Sequence, residues 1–218
     1  MVIGHSPEEI ARRLADPCRQ TAKVFDKQSD YATAFNWLSG GLIAVEGIEA
    51  VEAARAYLAG AGVYHRQGNY SESIAWCRRG LAVAERTSGR DGQSAIAMAY
   101  YLLGNNYRRM GDTVRTIEFC QKSLEIYEQI DDMPGATKAR GNLGTAYFEQ
   151  GDWRRAVGHY LRVLEFYHKI GDVFNQAVTT LNLGGVYRNQ GDLDQTTSYR
   201  LFSPAVRMRR VYLRHRVH

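Results

Sequence analysis

The chain has 218 residues, 44% of them hydrophobic and 23% charged, with a formal net charge of +5. That length suffices for one large domain or an elongated array, the composition excludes wholesale disorder, and no apolar run approaches the ~20 residues a membrane-spanning helix needs. Six arginines lie from Arg200 onward with no acid among them, which leaves 22 basic and 23 acidic side chains before that point; the basic balance is a property of the tail and is no evidence that the body binds nucleic acid.

In chain order, MVIGHSPEEI lacks the basic start and apolar centre of a secretory leader, and the three scattered cysteines (Cys18, Cys77 and Cys120) suit thiols in a reducing cytoplasm. Ser6-Pro7-Glu8-Glu9 combines a hydroxyl cap, a first-turn proline and a capping-box glutamate, predicting a short helix over 1–15. Asp16-Pro17 predicts a second helix start. From there the sequence repeats. Tyr64, Tyr107, Tyr147 and Tyr187 are each followed four residues later by a glycine (Gly68, Gly111, Gly151, Gly191), and the glycine spacings are 43, 40 and 40. Ser29-Asp30-Tyr31 fills the same slot 39 residues before Gly68.

Each unit reads as two helices. Before the glycine, ATKARGNLGTAYFEQ puts Ala136, Ala139, Leu143, Ala146 and Tyr147 on one face; after it, WRRAVGHYLRVLEFYHKI does the same with Ala156, Val157, Tyr160, Val163, Leu164 and Tyr167. The Gly-Asp pair stops the first helix and caps the second. The loop TSGRDGQS (87–94) is expected to absorb, as a solvated turn, the three extra residues of the 43-residue step. The fifth unit opens with GDLDQTTSY but continues as RLFSPAVRMRRVYLRHRVH, with Pro204 where a helix interior should be. Two readings of that tail stay open: a basic arm for acidic lipid or nucleic acid, or a non-native, disordered end.

Leu103-Gly104, Tyr107, Gly111-Asp112; Leu143-Gly144, Tyr147, Gly151-Asp152, Ala156; and Leu183-Gly184, Tyr187, Gly191-Asp192 resemble the tetratricopeptide repeat. The long unit is similar to that of Pins-type adaptors, kinesin light chains and the repeat regions of bacterial signalling ATPases and cyclases. Departures are Gly60-Ala61 without the leucine, Ser73, Thr116 and Thr196 for the usual alanine, and Cys77 and Cys120 where an aromatic is typical. The resemblance implies an all-α, right-handed α–α superhelix of about four to five helix-turn-helix repeats. The organisation expected is a short helix at 1–15, an array over 16–200 with units at about 16–48, 49–89, 93–132, 133–172 and 173–200, and a basic tail at 201–218.

Chemistry is not asked for by any motif. No Gly-x4-Gly-Lys-Ser/Thr string exists, Gly60-Ala61-Gly62 lacks a third glycine and a strand, His159 and His168 stand nine apart, and Asp131-Asp132 reads as a turn. The expectation is therefore a non-enzyme without cofactor, metal or small-molecule substrate, with a protein or peptide partner and no specific nucleic acid. Family resemblance implies that the leading helix of each unit lines a concave groove. Residues that the packing pattern does not use are Tyr101, Asn105, Arg108 and Arg109 in one unit, Lys138, Asn142 and Phe148 in the next, and Asn182 and Arg188 in the last. Asparagines can pair with a peptide backbone, arginines with carboxylates, aromatics with apolar anchors. A chaperone-type carboxylate clamp fits poorly, because Tyr101 and Val178 stand where lysines are expected and Asn182 where an arginine is. The reading is a scaffold for an extended acidic segment; the alternative is a sensor region of a larger multidomain signalling protein (an ATPase, a cyclase or a transcription regulator).

Overall fold

The computed structural model describes residues 19–20, 30–44 and 51–191. The expected helix starts at Ser6 and Asp16, the second helix of the fifth unit and the arginine tail lie outside them. Eight helices are found among the described residues: α1 (Tyr31–Ala44), α2 (Val51–Arg66), α3 (Tyr70–Ala84), α4 (Gly89–Arg109), α5 (Thr113–Gln129), α6 (Met133–Gln150), α7 (Trp153–Lys169) and α8 (Val173–Gln190). The chain is all-α, and it divides into two compact units, Met1–Ala136 and Thr137–His218, the division falling within α6.

The punctuation follows the sequence closely. Gly151 takes φ 82°, its N–H donates to the Phe148 carbonyl at 3.0 Å, and the Asp152 N–H reaches back to the Tyr147 carbonyl at 2.9 Å, closing the helix end. Asp152 then accepts the Arg155 N–H at 3.1 Å and starts α7. The same cap recurs at Asn69, Asp112, Asp132 and Asp172. Where the fourth unit ends in Gly171 at φ 72°, the third ends in Asp131 at φ 53°, a left-handed conformation that a side chain disfavours.

One expectation is corrected. TSGRDGQS is not a solvated loop: α4 begins at Gly89, so the extra residues lengthen a 21-residue helix. Gly92 makes this possible, because a Cβ there would run into the Thr87 carbonyl. Asp91 sits favourably in the positive first turn.

Within the first unit α2 pairs antiparallel with α3 and α4 with α5. A Cβ on Gly60 would strike the Trp76 ring, and one on Gly104 would lie 2.5 Å from the Cys120 Sγ. Ser73 Oγ donates to the Ala61 carbonyl at 2.7 Å, and Ser123 Oγ to the Ala97 carbonyl at 2.8 Å. Ala54, Leu58, Ala61, Cys77, Ala99, Leu103 and Tyr107 form one buried cluster, and Ala34 and Leu38 of α1 make a smaller one with Val63. In the second unit a Cβ on Gly144 would lie 2.8 Å from the Tyr160 ring, and Leu143 and Leu183 are wholly buried. Each such leucine contributes about 1.5–3 kcal/mol on burial, which no single helix could secure alone.

Three of the motif tyrosines meet an aromatic ring twelve residues on. Tyr64 lies 5.6 Å from Trp76, Tyr107 stacks on Phe119 at 5.4 Å, and Tyr147 stacks on His159 at 5.5 Å. Arg115 and Arg155 cover the second and third tyrosines at 4.4 and 5.2 Å. Burial, with Arg140 and Arg162 nearby, lowers the His159 imidazole from 6.5 to about 4.

Two outcomes are expected. Asp131→Gly relieves the left-handed strain and raises stability by about 0.5–1 kcal/mol, read as a higher Tm by circular dichroism. His159 is neutral in the fold but protonates in the unfolded chain, so its contribution is full above pH 6.5 and is lost as pH falls toward about 4. With the ring's partial exposure discounted, the loss at about pH 5 is about 1 kcal/mol; His159→Phe narrows the difference in urea midpoint between about pH 7 and about pH 5.

Candidate functional site

The leading helices α2 and α4 of the first unit use Ala54, Ala61, Ala95, Ala99, Leu103 and Tyr107 for packing. On α4 this leaves Ser94, Met98, Tyr101, Asn105 and Arg108 at three- and four-residue steps, one stripe along the helix. Its upper part opens into a cleft of about 220 Å³, lined by Arg19, by Arg55, Leu58 and Ala59 of α2, by Ser94, Ala95 and Met98 of α4, and by Tyr127 of α5.

Arg55 organises this cleft. Its Nη1 donates to both oxygens of Glu52, at 3.3 and 3.1 Å, and its Nη2 to Asp91 Oδ1 at 2.8 Å. Burial works against its charge, but the two carboxylates outweigh that and hold the guanidinium above its ordinary value. Glu52 is only 3% exposed, so this pair fixes the arginine side chain on α2. Tyr127 donates its hydroxyl to the Met98 sulfur at 3.7 Å; burial, then Asp132 and Tyr101, push its phenol above the usual range.

A second polar constellation lies at the lower end of the same helices. Asn106 is fully buried. Its Nδ2 donates to Ser73 Oγ at 2.8 Å and to the Leu102 carbonyl at 2.9 Å, while its Oδ1 accepts the His65 Nδ1–H at 2.9 Å. Ser73 passes its own proton to the Ala61 carbonyl, so one amide ties α2, α3 and α4. Burial holds the His65 imidazole below its ordinary value; Asn106 opposes this, and Arg109, Arg66 and Arg108 add to it. Cys77 beside Ser73 is wholly buried, and burial pushes its thiol up to about 12, which removes it as a nucleophile near neutrality. Among the described residues no group of three His, Cys, Asp or Glu side chains is placed to hold a metal ion.

The expected contact residues divide. Tyr101, Asn105 and Arg108 are half-buried along one stripe of α4, with exposed Arg109 beside them. In the second unit, exposed Lys138 and half-buried Asn142 share a face of α6. Phe148, half-buried, sits about a third of a turn away from Asn142, and on α8 exposed Arg188 is similarly rotated from exposed Asn182. Sequence reasoning missed Arg55, Asp91, Met98 and Tyr127. The signal was available in register: Arg55 and Met98 occupy the position that Lys138 and Val178 take in later units. His65 is half-buried and bonded to Asn106. Asn106 itself stands where Val63, Ala146 and Val186 stand in the other units. An apolar stripe on α8, with Phe174, Val178 and Leu181 at 75, 42 and 59% exposure, was not expected.

The tetratricopeptide repeat model matches residues 52–113 and 95–169, more than half of the chain. No curated protein matches the sequence. Among solved structures, BtubC (BKLC) from P. vanneervenii is similar at 17% identity and TM-score 0.77, over 96% of this chain and 93% of that one. Aspartyl phosphate phosphatase F from Bacillus subtilis is similar at 12% identity and TM-score 0.74, over 86% of this chain and 49% of that one. A signal transduction ATPase with numerous domains, which carries a tetratricopeptide repeat sensor, from Pyrococcus horikoshii is similar at 13% identity and TM-score 0.71, over 85% of this chain. The chain spans about half the length of the phosphatase and 28% of the ATPase. At these identities the likeness is one of fold.

The Asn106 bridge has a measurable signature. Asn106→Ala is expected to cost about 1–3 kcal/mol of unfolding free energy, since it leaves buried partners unpaired. Ser73→Ala should then cost less in the Asn106→Ala background than alone, with a coupling of about 1 kcal/mol in a urea double-mutant cycle. Strict additivity would mean that α3 and α4 are not joined through this amide.

Proposed function

The chain belongs to the tetratricopeptide repeat family, and on that premise we propose that it is a non-catalytic scaffold whose leading helices hold an extended, acidic segment of a partner protein. Repeats of this family are protein–protein interaction modules. The observation that carries the acidic preference is the charge of the leading helices. In the first unit α2 and α4 bear five arginines against two carboxylates, one of which, Glu52, is buried against Arg55; in the second, α6 and α8 bear three basic side chains against one carboxylate. Such a surface attracts and steers acidic chain without requiring a positive body. Tyr101, Asn105, Arg108 and Arg109 would meet the segment on α4, Lys138, Asn142 and Phe148 on α6, and Asn182 and Arg188 on α8. Among the described residues no helix is long and apolar enough to cross a membrane.

A second reading is favoured by one specific likeness, that to the ATPase with a tetratricopeptide repeat sensor. In that reading the repeats sense an effector for a domain elsewhere in a longer protein. Both readings use the same face, and a partner isolated by pull-down and identified by mass spectrometry distinguishes a separate protein from an attached domain.

Asn142→Ala and Asn182→Ala should each weaken binding of that partner by about 1–3 kcal/mol in calorimetry, through lost backbone pairing, while leaving helicity unchanged. Normal affinity in the double variant would remove the groove from consideration.

A further inference from the structure

We propose that the cleft between α2 and α4 seats a single carboxylate of the partner segment, carried on a short apolar stem, and that Asp91 occupies this seat when the partner is absent. The inference rests on the leading helices being the peptide-binding face. It names where that face is anchored.

The cleft is built asymmetrically around Arg55. On one side Glu52, 3% exposed, grips Nη1 and fixes the plane of the guanidinium. On the other, Asp91 takes Nη2 at 2.8 Å but is itself 58% exposed, so water competes for its oxygens and its hold is weak. The three contacts use at most three of five N–H donors, and a carboxylate matches a guanidinium edge in two parallel bonds. Arg19 supplies a second cation on the lining, and Ser94 and Tyr127 line it beside them. Leu58, Ala59, Ala95 and Met98 give the apolar wall, with Met98 40% exposed at the rim.

Size and charge select the occupant. At about 220 Å³ the cleft falls below the roughly 300–1,000 Å³ of pockets that enclose a small-molecule ligand, and suits one side chain or a chain terminus. Exchange of Asp91 for an incoming carboxylate keeps the charge at Arg55 constant. The net gain then comes from burying the stem against Leu58 and Met98, which Asp91 is too short to do. Asp91 acts as an internal competitor, and its removal should tighten binding. A purely structural ion pair predicts the reverse.

The full chain is panned against arrayed random ten-residue peptides, synthesised with a free C-terminal carboxylate and again as the amide. Affinities of selected peptides are measured by fluorescence anisotropy. Selected peptides should carry Asp, Glu or the free terminus beside Leu, Ile or Met, and amidating that carboxylate should weaken binding about ten-fold or more. Asp91→Asn should tighten binding about two- to five-fold, and Met98→Glu should weaken it about ten-fold. Arg55 is left in place because its loss strands Glu52 and threatens the fold; circular dichroism confirms that the two variants fold. If Asp91→Asn and Met98→Glu leave affinities unchanged while Asn142→Ala and Asn182→Ala reduce them, the cleft assignment falls and the groove survives. If no peptide is selected, both fall. If N-acetyl-leucine binds by calorimetry and no peptide does, the seat takes a free small acid and the peptide source is overturned.

Discussion

The close approach of antiparallel helices at a position without room for a side chain governs this fold. Gly60, Gly104 and Gly144 stand at the crossings of α2 with α3, α4 with α5 and α6 with α7, and there each meets a partner's Trp76, Cys120 or Tyr160. A small residue on one helix lets a larger one on the other fill the gap, which is how interiors reach close packing. The large residue changes from unit to unit because only the combined volume matters. Cysteine suffices opposite Gly104, where the ring of Phe119 stacked on Tyr107 occupies adjacent space.

The same crossings explain where polarity enters the core. Ser73 and Thr116 take the slot that Ala156 fills in the fourth unit, and each returns its hydroxyl proton to a nearby carbonyl, of Ala61 and of Asp112. At Ser73 the substitution is coupled to another, Asn106 of the next repeat, so that two polar departures satisfy one another. A buried amide of this kind costs stability unless every group is paired, and it favours one register of α2, α3 and α4 over a slipped one. The network lies next to the proposed binding stripe, with Asn105 and Arg108 flanking Asn106, and so fixes the orientation of α4 that the stripe depends on.

The candidate site is made of what the helix packing does not bury. Within α2 and α4 the small residues turn inward, and the long, charged or sulfur-bearing side chains (Arg55, Met98, Tyr101, Arg108) stay at least partly exposed. Their charges are not free-standing: Arg55 is held by a buried carboxylate and shared with an exposed one. A guanidinium fixed before the ligand arrives loses little entropy on binding.

The sequence by itself determined the helix pairs, their ends and their period, because glycine at a left-handed turn and aspartate at a cap act within a few residues of chain. Gly151-Asp152 and Gly111-Asp112 could be read that way directly, and so could the inward faces of Leu143 and Tyr147. The glycines of TSGRDGQS misled for the same reason: a local rule predicts a loop, whereas Gly92 is there because a Cβ would run into the Thr87 carbonyl where α4 begins. Tertiary structure alone decided the pairing of Tyr107 with Phe119, the burial of Asn106 against Ser73 and His65, and the meeting of Arg55 with Asp91. Those partners are separated by 12, 33 and 41, and 36 residues. Their contact depends on how helices cross, and a repeat pattern fixes the period of the crossings but not which departures from the pattern will face each other.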